Sequence, residues 1–557
     1  MSELTETLLD RFHMHVRERP NDVYLVQPAN GGQITEYTFA QVADEAKRMA
    51  AYLGSLDLPP QSKIAMVSKN CAHFFMADLA IWMAGHVSVA LYPTLAADTV
   101  RYILEHSEAK LLFEGKLDVH PRAQIRAGVP EGLRCIALPM AEDHDFDKWE
   151  DLIAAHEPVE GEPTRGLDDE ALIIYTSGST GTPKGVLHSF RTTGIPTRGL
   201  VSQLDISKED RALSYLPLAH AMDRWLSECV SLWVGEKVFF AESLDTFVED
   251  LGRARPTLFV SVPRLWLKFQ LGVYSKMPKK KFDLFMKIPI LRGVVKKKIL
   301  ANLGLDSVRF AGSGSAPIPA ELLSWYRDLG LDLLEGYGMS ENFNYSHITI
   351  PGRGRPGYIG HPYGDVDCKL SDQGEILIKS PGNMLGYYKA PELTQEAFTE
   401  DGYLKTGDRG EIDSDGRLRI TGRIKELFKT SKGKYVAPAP IENIVNNDPH
   451  IELSVVSGSG YPMTHAVVQL AEDLLPKLSD DAVKAEVTSA LEALLGSVNS
   501  QIEEFEKVGF IVVAKDRWTI EDGQLTPTMK IKRTAIEDMY SASLDGWYDA
   551  KQKVIWE

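Results

Sequence analysis

Through the first third of the chain, short apolar runs alternate with stretches whose apolar residues recur every three or four positions. KIAMVS, ADLAIWMAG, VSVALYP, TVRYILEHSEAK and LLFEG follow one another as strand, helix, strand, helix, strand. Apolar runs of that length with intervening helical patterns predict parallel strands joined by crossover helices. DRALSYLP, KVFFA and TLFVSVP form a second such series. Leu4, Leu8, Leu9, Phe12 and Val16 fall on one face of an N-terminal helix, with His13 and His15 read as polar residues beside that face. FFMADLAIWMAGHVSVALYP is long enough to suggest a membrane span, but Asp78, Gly85 and His86 interrupt it, and strand-helix-strand in a buried core fits better.

After Gly360 the texture changes. SDQGEILIKS and SDGRLRITGR carry turn residues between short alternating runs and predict hairpins. Beyond the charged segment IKELFKTSKGKYV comes a smaller α+β pattern with an amphipathic helix, KAEVTSALEALLGSV, and a strand, VGFIVVA. The fold expected is α/β: a large N-terminal domain over residues 1–422 and a smaller C-terminal α+β domain over 423–557, with the boundary near Arg423–Lys425. A chain of 557 residues exceeds what one core usually holds, which fits two domains.

Charge narrows the partners. The formal net charge is −17, which disfavours nonspecific nucleic-acid binding and requires cations to be concentrated locally wherever an anionic substrate binds. One basic stretch, residues 276–298, stands against that total. It reads first as a solvated helical face; the alternative is an amphipathic element in peripheral contact with an anionic membrane surface. Cys71, Cys135, Cys229 and Cys368 are far apart, without a CxxC pair, and read as buried thiols of a reducing compartment. The N-terminal residues lack a basic start followed by an apolar run, so the expected location is the cytoplasm.

The chemistry is concentrated in a few short motifs. YTSGSTGTPKG, residues 175–185, follows the apolar run ALII. Gly178 and Gly181 let backbone amides turn toward an anion, Thr176, Ser177, Ser179 and Thr180 offer hydroxyls, and Lys184 adds a point charge: a phosphate cradle. It is not a Walker A loop, because Lys184 follows a proline and precedes a glycine. A Ser/Gly-rich surface loop would have the same composition.

YTSGSTGTPKGV resembles the signature phosphate loop of the adenylate-forming, AMP-binding superfamily: acyl-CoA synthetases, beetle luciferases and peptide-synthetase adenylation domains. Further motifs follow in that superfamily's order over nearly the whole chain. They are GSGSAPIP (312–319) on the adenine side, EGYGMSEN (335–342), YLKTGD (403–408) at the ribose, GRIKE (422–426) at a hinge and LTPTMKIKR (525–533). PLAHAMDR, SVPRLW and KKKILANLG are most similar to long-chain fatty acyl-CoA synthetases.

The resemblance implies a two-step reaction: a carboxylic acid and ATP form an acyl-adenylate, which then passes its acyl group to the thiol of CoA. It assigns Lys530 to the reacting carboxylate and α-phosphate, Lys184 to the β- and γ-phosphates, and Glu341 with Thr176 to Mg²⁺. Gly312, Ser313, Gly314, Gly336, Tyr337, Gly338 and Ser340 join the cradle in ATP binding, with Tyr337 against adenine. Asp408 accepts from the ribose, Arg423 lies near ribose or phosphate, Lys425 is the hinge, and Gly433 lines the CoA tunnel. His220 and Trp225, within the segment through Ala221, Met222, Asp223 and Arg224, line or gate the acid site. Ser340 departs from the superfamily's usual threonine but keeps the hydroxyl. The alternatives are a ligase that stops at acyl-AMP, one for an aryl or other acid, or a non-catalytic nucleotide-binding homologue.

Overall fold

The computed structural model describes residues 3–29, 31–177, 182–314, 316, 318–526 and 529–557. Both apolar series form the expected parallel strands. Lys63–Val67 pairs in parallel with Val87–Leu91 and Leu111–Glu114, inside an eight-stranded sheet. Arg211–Ser214 pairs in parallel with Lys237–Phe240 and Leu258–Ser261, inside a nine-stranded sheet continued by Phe310–Ser313 and Leu333–Tyr337. The helix Ala72–Met83 has every side chain buried, which its near-continuous apolar sequence requires. It begins at Ala72, so the Phe74–Phe75 run is helical and not a strand.

Both hairpins also form. Asp367–Leu370 and Glu375–Lys379 are antiparallel, as are Leu404–Ile412 and Leu418–Arg423, and the four make one sheet. After a short 3₁₀ turn, Ile424–Glu426, the chain builds a mixed four-stranded sheet that includes Val508–Val513 and carries the helix Asp481–Asn499. That sheet has its own two apolar clusters, centred on Val468 and Leu491 and on Val512 and Trp518.

The N-terminal helix departs in one respect from its pattern. It spans Leu8–Glu18, capped by Thr7, so Leu4 is buried ahead of it rather than on it. His13 and His15 are not surface residues; both are buried. The Nε2 of His13 lies 3.0 Å from the Pro163 carbonyl, and that of His15 lies 3.3 Å from the Trp233 carbonyl. Backbone partners supply what water would otherwise supply. All four cysteines are free thiols, but only Cys71 and Cys229 are buried; Cys135 and Cys368 are half-buried. Among the described residues, no helix is long and apolar enough to cross a membrane. Arg264, on the helix Pro263–Lys276, ties the nine-stranded sheet to the C-terminal one by pairing with Glu452 and the Ile451 carbonyl.

Candidate active site

The phosphate-loop motif is a hairpin. Glu170–Ser177 and Pro183–Ser189 pair antiparallel, and the register sets Thr176 directly opposite Lys184 at the base of the loop. Gly178, Ser179, Thr180 and Gly181, together with the Ser177 side chain, lie outside the described residues. A third strand, Gly386–Tyr387, joins the hairpin's edge. Its Tyr387 ring centre lies 5.1 Å from the Lys184 ammonium, within cation–π reach. The Tyr387 hydroxyl donates to Glu341 Oε1 at 2.9 Å. Nothing in the sequence singled out Tyr387, because its role depends on pairing across 200 residues of chain rather than on a local motif.

Glu341 sits in a 3₁₀ turn, Ser340–Asn342. Burial raises its carboxyl above the usual range, opposed by the Tyr387 hydrogen bond and by the charges of Lys184 and Arg423. The backbone of the same turn is fixed from behind, where His188 Nε2 meets the Ser340 carbonyl at 2.8 Å.

Two adjacent parallel strands, Phe310–Ser313 and Leu333–Tyr337, end side by side, with Ser313 in register with Glu335. Their C-terminal ends bring Gly312, Ser313, Gly314, Gly336, Tyr337 and Gly338 onto a single cavity. The C-terminal ends of parallel strands are where open α/β sheets bind ligands. A Cβ on Gly338 would lie 2.4 Å from the Asn344 Cα, so only glycine allows this approach of backbone to backbone. Ser315 and Pro317 of the same motif lie outside the described residues.

Tyr337 reaches further. Its hydroxyl donates to Asp408 Oδ2 at 2.7 Å, while Asp408 Oδ1 lies 3.0 Å from Arg423 Nε. Asp408 and Arg423 are direct partners on neighbouring antiparallel strands, which sets their side chains on one face. Lys530 occupies a tight loop closed by the Leu525–Ile531 bridge and by the Thr526 N–H donating to the Lys530 carbonyl at 2.7 Å. Lys530 itself is exposed. The surrounding protein lowers its pKa first, Arg423 adds to that, and Asp408 opposes it. His220 is held near 4, by burial and then by the Lys530 charge, so its imidazole is neutral. The fold thus gathers Tyr337, Asp408, Arg423, Lys530 and His220 from four distant segments.

The cavity encloses about 980 Å³ including its open mouth. Beyond the glycine-lined end it is apolar and runs beneath the nine-stranded sheet. It is lined by Gly314 past one end of the strand Phe310–Ser313 and by Phe310 at the other. Four residues of strand make the whole span, glycine-lined end included, about 13 Å. Leu204 and Ile206, which precede the strand Arg211–Ser214, close the far end.

Of the segment from His220 to Trp225, Met222, Asp223 and Trp225 line the cavity. His220 caps the short helix Ala221–Asp223, its Nδ1 accepting the Met222 N–H at 3.1 Å. Arg224 instead turns into the core, paired with Asp78 at 2.5 Å and Glu228 at 3.2 Å. Trp225 lies in a π-helical turn, Arg224–Cys229, a widening of the helix that often marks functional walls. Asp223 is pushed up to about 7 by burial, and accepts hydrogen bonds from Ser214, Ser227 and Asn70. Lys425 and Gly433 lie apart from the cavity: Lys425 in the exposed 3₁₀ turn, Gly433 at φ 77° in the turn of the hairpin Phe428–Lys429/Tyr435–Val436. Among the described residues, no cluster of three or more His, Cys, Asp or Glu side chains could hold a metal unaided.

Residues 12–388 match the model of the AMP-binding enzyme family, and 426–552 match that of the AMP-binding enzyme C-terminal domain. The chain belongs to the AMP-binding enzyme family. Among similar family members is the long-chain-fatty-acid–CoA ligase FadD15 of Mycobacterium tuberculosis, 28% identical over 96% of both chains. Long chain acyl-CoA synthetase 4 of Arabidopsis thaliana is 28% identical over 97% of this chain and 91% of its own. The same fold occurs in the A domain of carboxylic acid reductase from Segniliparus rugosus, solved with AMP and a co-purified carboxylic acid. There the TM-score is 0.79 at 21% identity, over 99% of this chain and 95% of that one.

Proposed function

We propose that this AMP-binding enzyme is an ATP-dependent acid:CoA ligase acting on medium- to long-chain fatty acids. One observation carries the reading: a single cavity joins the glycine-lined end expected to hold the nucleotide to a long apolar run under the sheet. An acid inserted tail-first would leave its carboxylate at that junction, with its tail along the apolar run toward Phe310, Leu204 and Ile206. The relatives named long-chain fatty acid ligases support the same substrate class.

In the first step the carboxylate oxygen attacks the α-phosphorus of ATP, and the bond to pyrophosphate breaks. Both reactants are anions, so fixed cations must offset their repulsion as charge shifts. Lys530 is assigned to the carboxylate and α-phosphate, Lys184 to the leaving β- and γ-phosphates, and the Tyr337–Asp408–Arg423 cluster to the ribose end. Glu341, one oxygen of which accepts from Tyr387, fits a Mg²⁺ site that draws its remaining oxygens from phosphates, water and Thr176. When bound, the ion offsets triphosphate charge. In the second step the CoA sulfur attacks the acyl carbonyl and AMP leaves. Residues 423–557 are assigned as a mobile domain turning about Lys425, which withdraws Lys530 and brings Gly433 to the thiol path.

Acid-dependent pyrophosphate release, followed with and without CoA over an acid series of increasing length, tests this. AMP and acyl-CoA should form together, with the long acids preferred. AMP formed without CoA loss would make the chain an acyl-AMP ligase; no acid-dependent pyrophosphate would end the proposal. Lys530→Ala should abolish pyrophosphate release yet still convert supplied acyl-adenylate to acyl-CoA.

A further inference from the structure

Three helices leave the cavity wall in succession: Pro263–Lys276, Lys279–Lys287 and Pro289–Asn302. The last two are fixed from one side only. Phe282 and Ile299 are buried in an apolar cluster, with Phe282 stacked on Trp325 at 5.7 Å between ring centres. Their other side is bare. Leu284, Ile288, Ile290, Leu291 and Val294 are all exposed, Ile290 to 83% and Val294 to 61%. Single exposed apolar residues are ordinary, but a dense group of them marks a contact surface.

The charge around this group is as unusual as its exposure. Residues 276–298 hold nine cations (Lys276, Lys279, Lys280, Lys281, Lys287, Arg292, Lys296, Lys297 and Lys298) against a single acid, Asp283, in a chain of net charge −17. Asp283 neutralises only Lys279, at 2.9 Å, and Arg292 lies 3.9 Å from Asp328. A solvated helical face needs the lysines but not the leucine, isoleucine and valine side chains between them. A second copy of the same face would set like charges against each other.

We infer that the helical pair Lys279–Asn302 is a docking surface for an anionic lipid bilayer. Leu284, Ile290 and Val294 enter the headgroup boundary, and the flanking lysines pair with lipid phosphates. Interfacial helices combine these two features, an apolar face buried about 5–10 Å deep and a Lys/Arg rim. The surface stands on its own observations; it meets the proposed reaction only in allowing the acid to be drawn from the bilayer.

Flotation of the full-length protein with vesicles tests it, comparing phosphatidylcholine alone with phosphatidylcholine plus phosphatidylglycerol. Binding should be at least tenfold tighter to the anionic vesicles and should weaken steeply with added salt. Ile290→Asp with Val294→Asp should remove it by tenfold or more, as should Lys296→Glu with Lys297→Glu and Lys298→Glu. Melting temperature and activity on a short, water-soluble acid should stay at wild-type values in both variants. Equal binding to both vesicles, no binding, or binding undiminished in the aspartate variant each overturns the inference. A charge-dependent contact that survives the aspartates would point to an acidic protein partner instead. If the wild type binds anionic vesicles but activates no acid, the surface stands and the proposed reaction falls.

Discussion

Tyr387 is the side chain on which the proposed phosphate end of the site turns. It holds one oxygen of Glu341 and lies against Lys184, so it couples the proposed metal ligand to the proposed phosphate cation. A hydrogen bond to a charged group contributes ~1.5–3 kcal/mol. Tyr387→Phe keeps the ring and removes the bond, so we expect about a tenfold or greater loss in pyrophosphate release. A rise in the magnesium concentration needed for half-maximal rate should accompany it. If that requirement does not move, Tyr387 only packs. The residues nominated from the sequence were those carried by contiguous motifs, such as Lys184, Glu341 and Lys530. Tyr387 and Asn70 were not, since each acquires its role from a strand or loop distant in the chain. His13 and His15 were misplaced because their partners are carbonyls contributed by Pro163 and Trp233, which no local pattern reveals.

The strands set the reach of the cavity. The register of Leu258 with Phe310 and of Val260 with Gly312 aligns the two strands beneath which it runs, and Leu204 stands beyond their starting ends. Leu204→Trp would fill that end. Rates on the longest acids should fall about tenfold or more while the shortest acids keep theirs, in a chain-length series read by AMP release. Overpacking of this kind costs about 1–3 kcal/mol, so a melting curve should accompany the assay. An equal loss at every length would place the end of the cavity elsewhere. The strands and both hairpins were legible because period-two and buried runs are local signals. The π-helical turn at Arg224–Cys229 was not, since its widening accompanies the buried Asp78–Arg224–Glu228 pairing, formed only in the folded chain.

Across the whole molecule, buried groups titrate in opposite directions. Burial depresses His15, His188 and His465 to about 4 and His347 to about 3. It raises Asp223 and Glu335 to about 7, and Glu228 and Glu236 well above the usual carboxylate range. A histidine depressed in the fold contributes stability that is complete above 6.5 and lost as pH falls toward its folded value. A carboxyl raised in the fold contributes stability present at low pH and lost as pH rises through its folded value. The two sets offset each other, so the titration of one histidine is best read as a difference. His465→Gln should be less stable than wild type near neutrality, and that gap should close as pH falls from 6.5 toward 4. A gap constant with pH in paired thermal melts would show that His465 does not titrate as described.

Arg423 is the last residue of its strand, clasped to Asp408 across the sheet, and the next residue already begins the turn that holds Lys425. On the proposed assignment of Asp408 to the ribose, a domain turning beyond that point would pivot beside the bound nucleotide. The enzyme could exchange one set of tools for another without loosening its grip on the intermediate, and AMP itself would serve as the bearing.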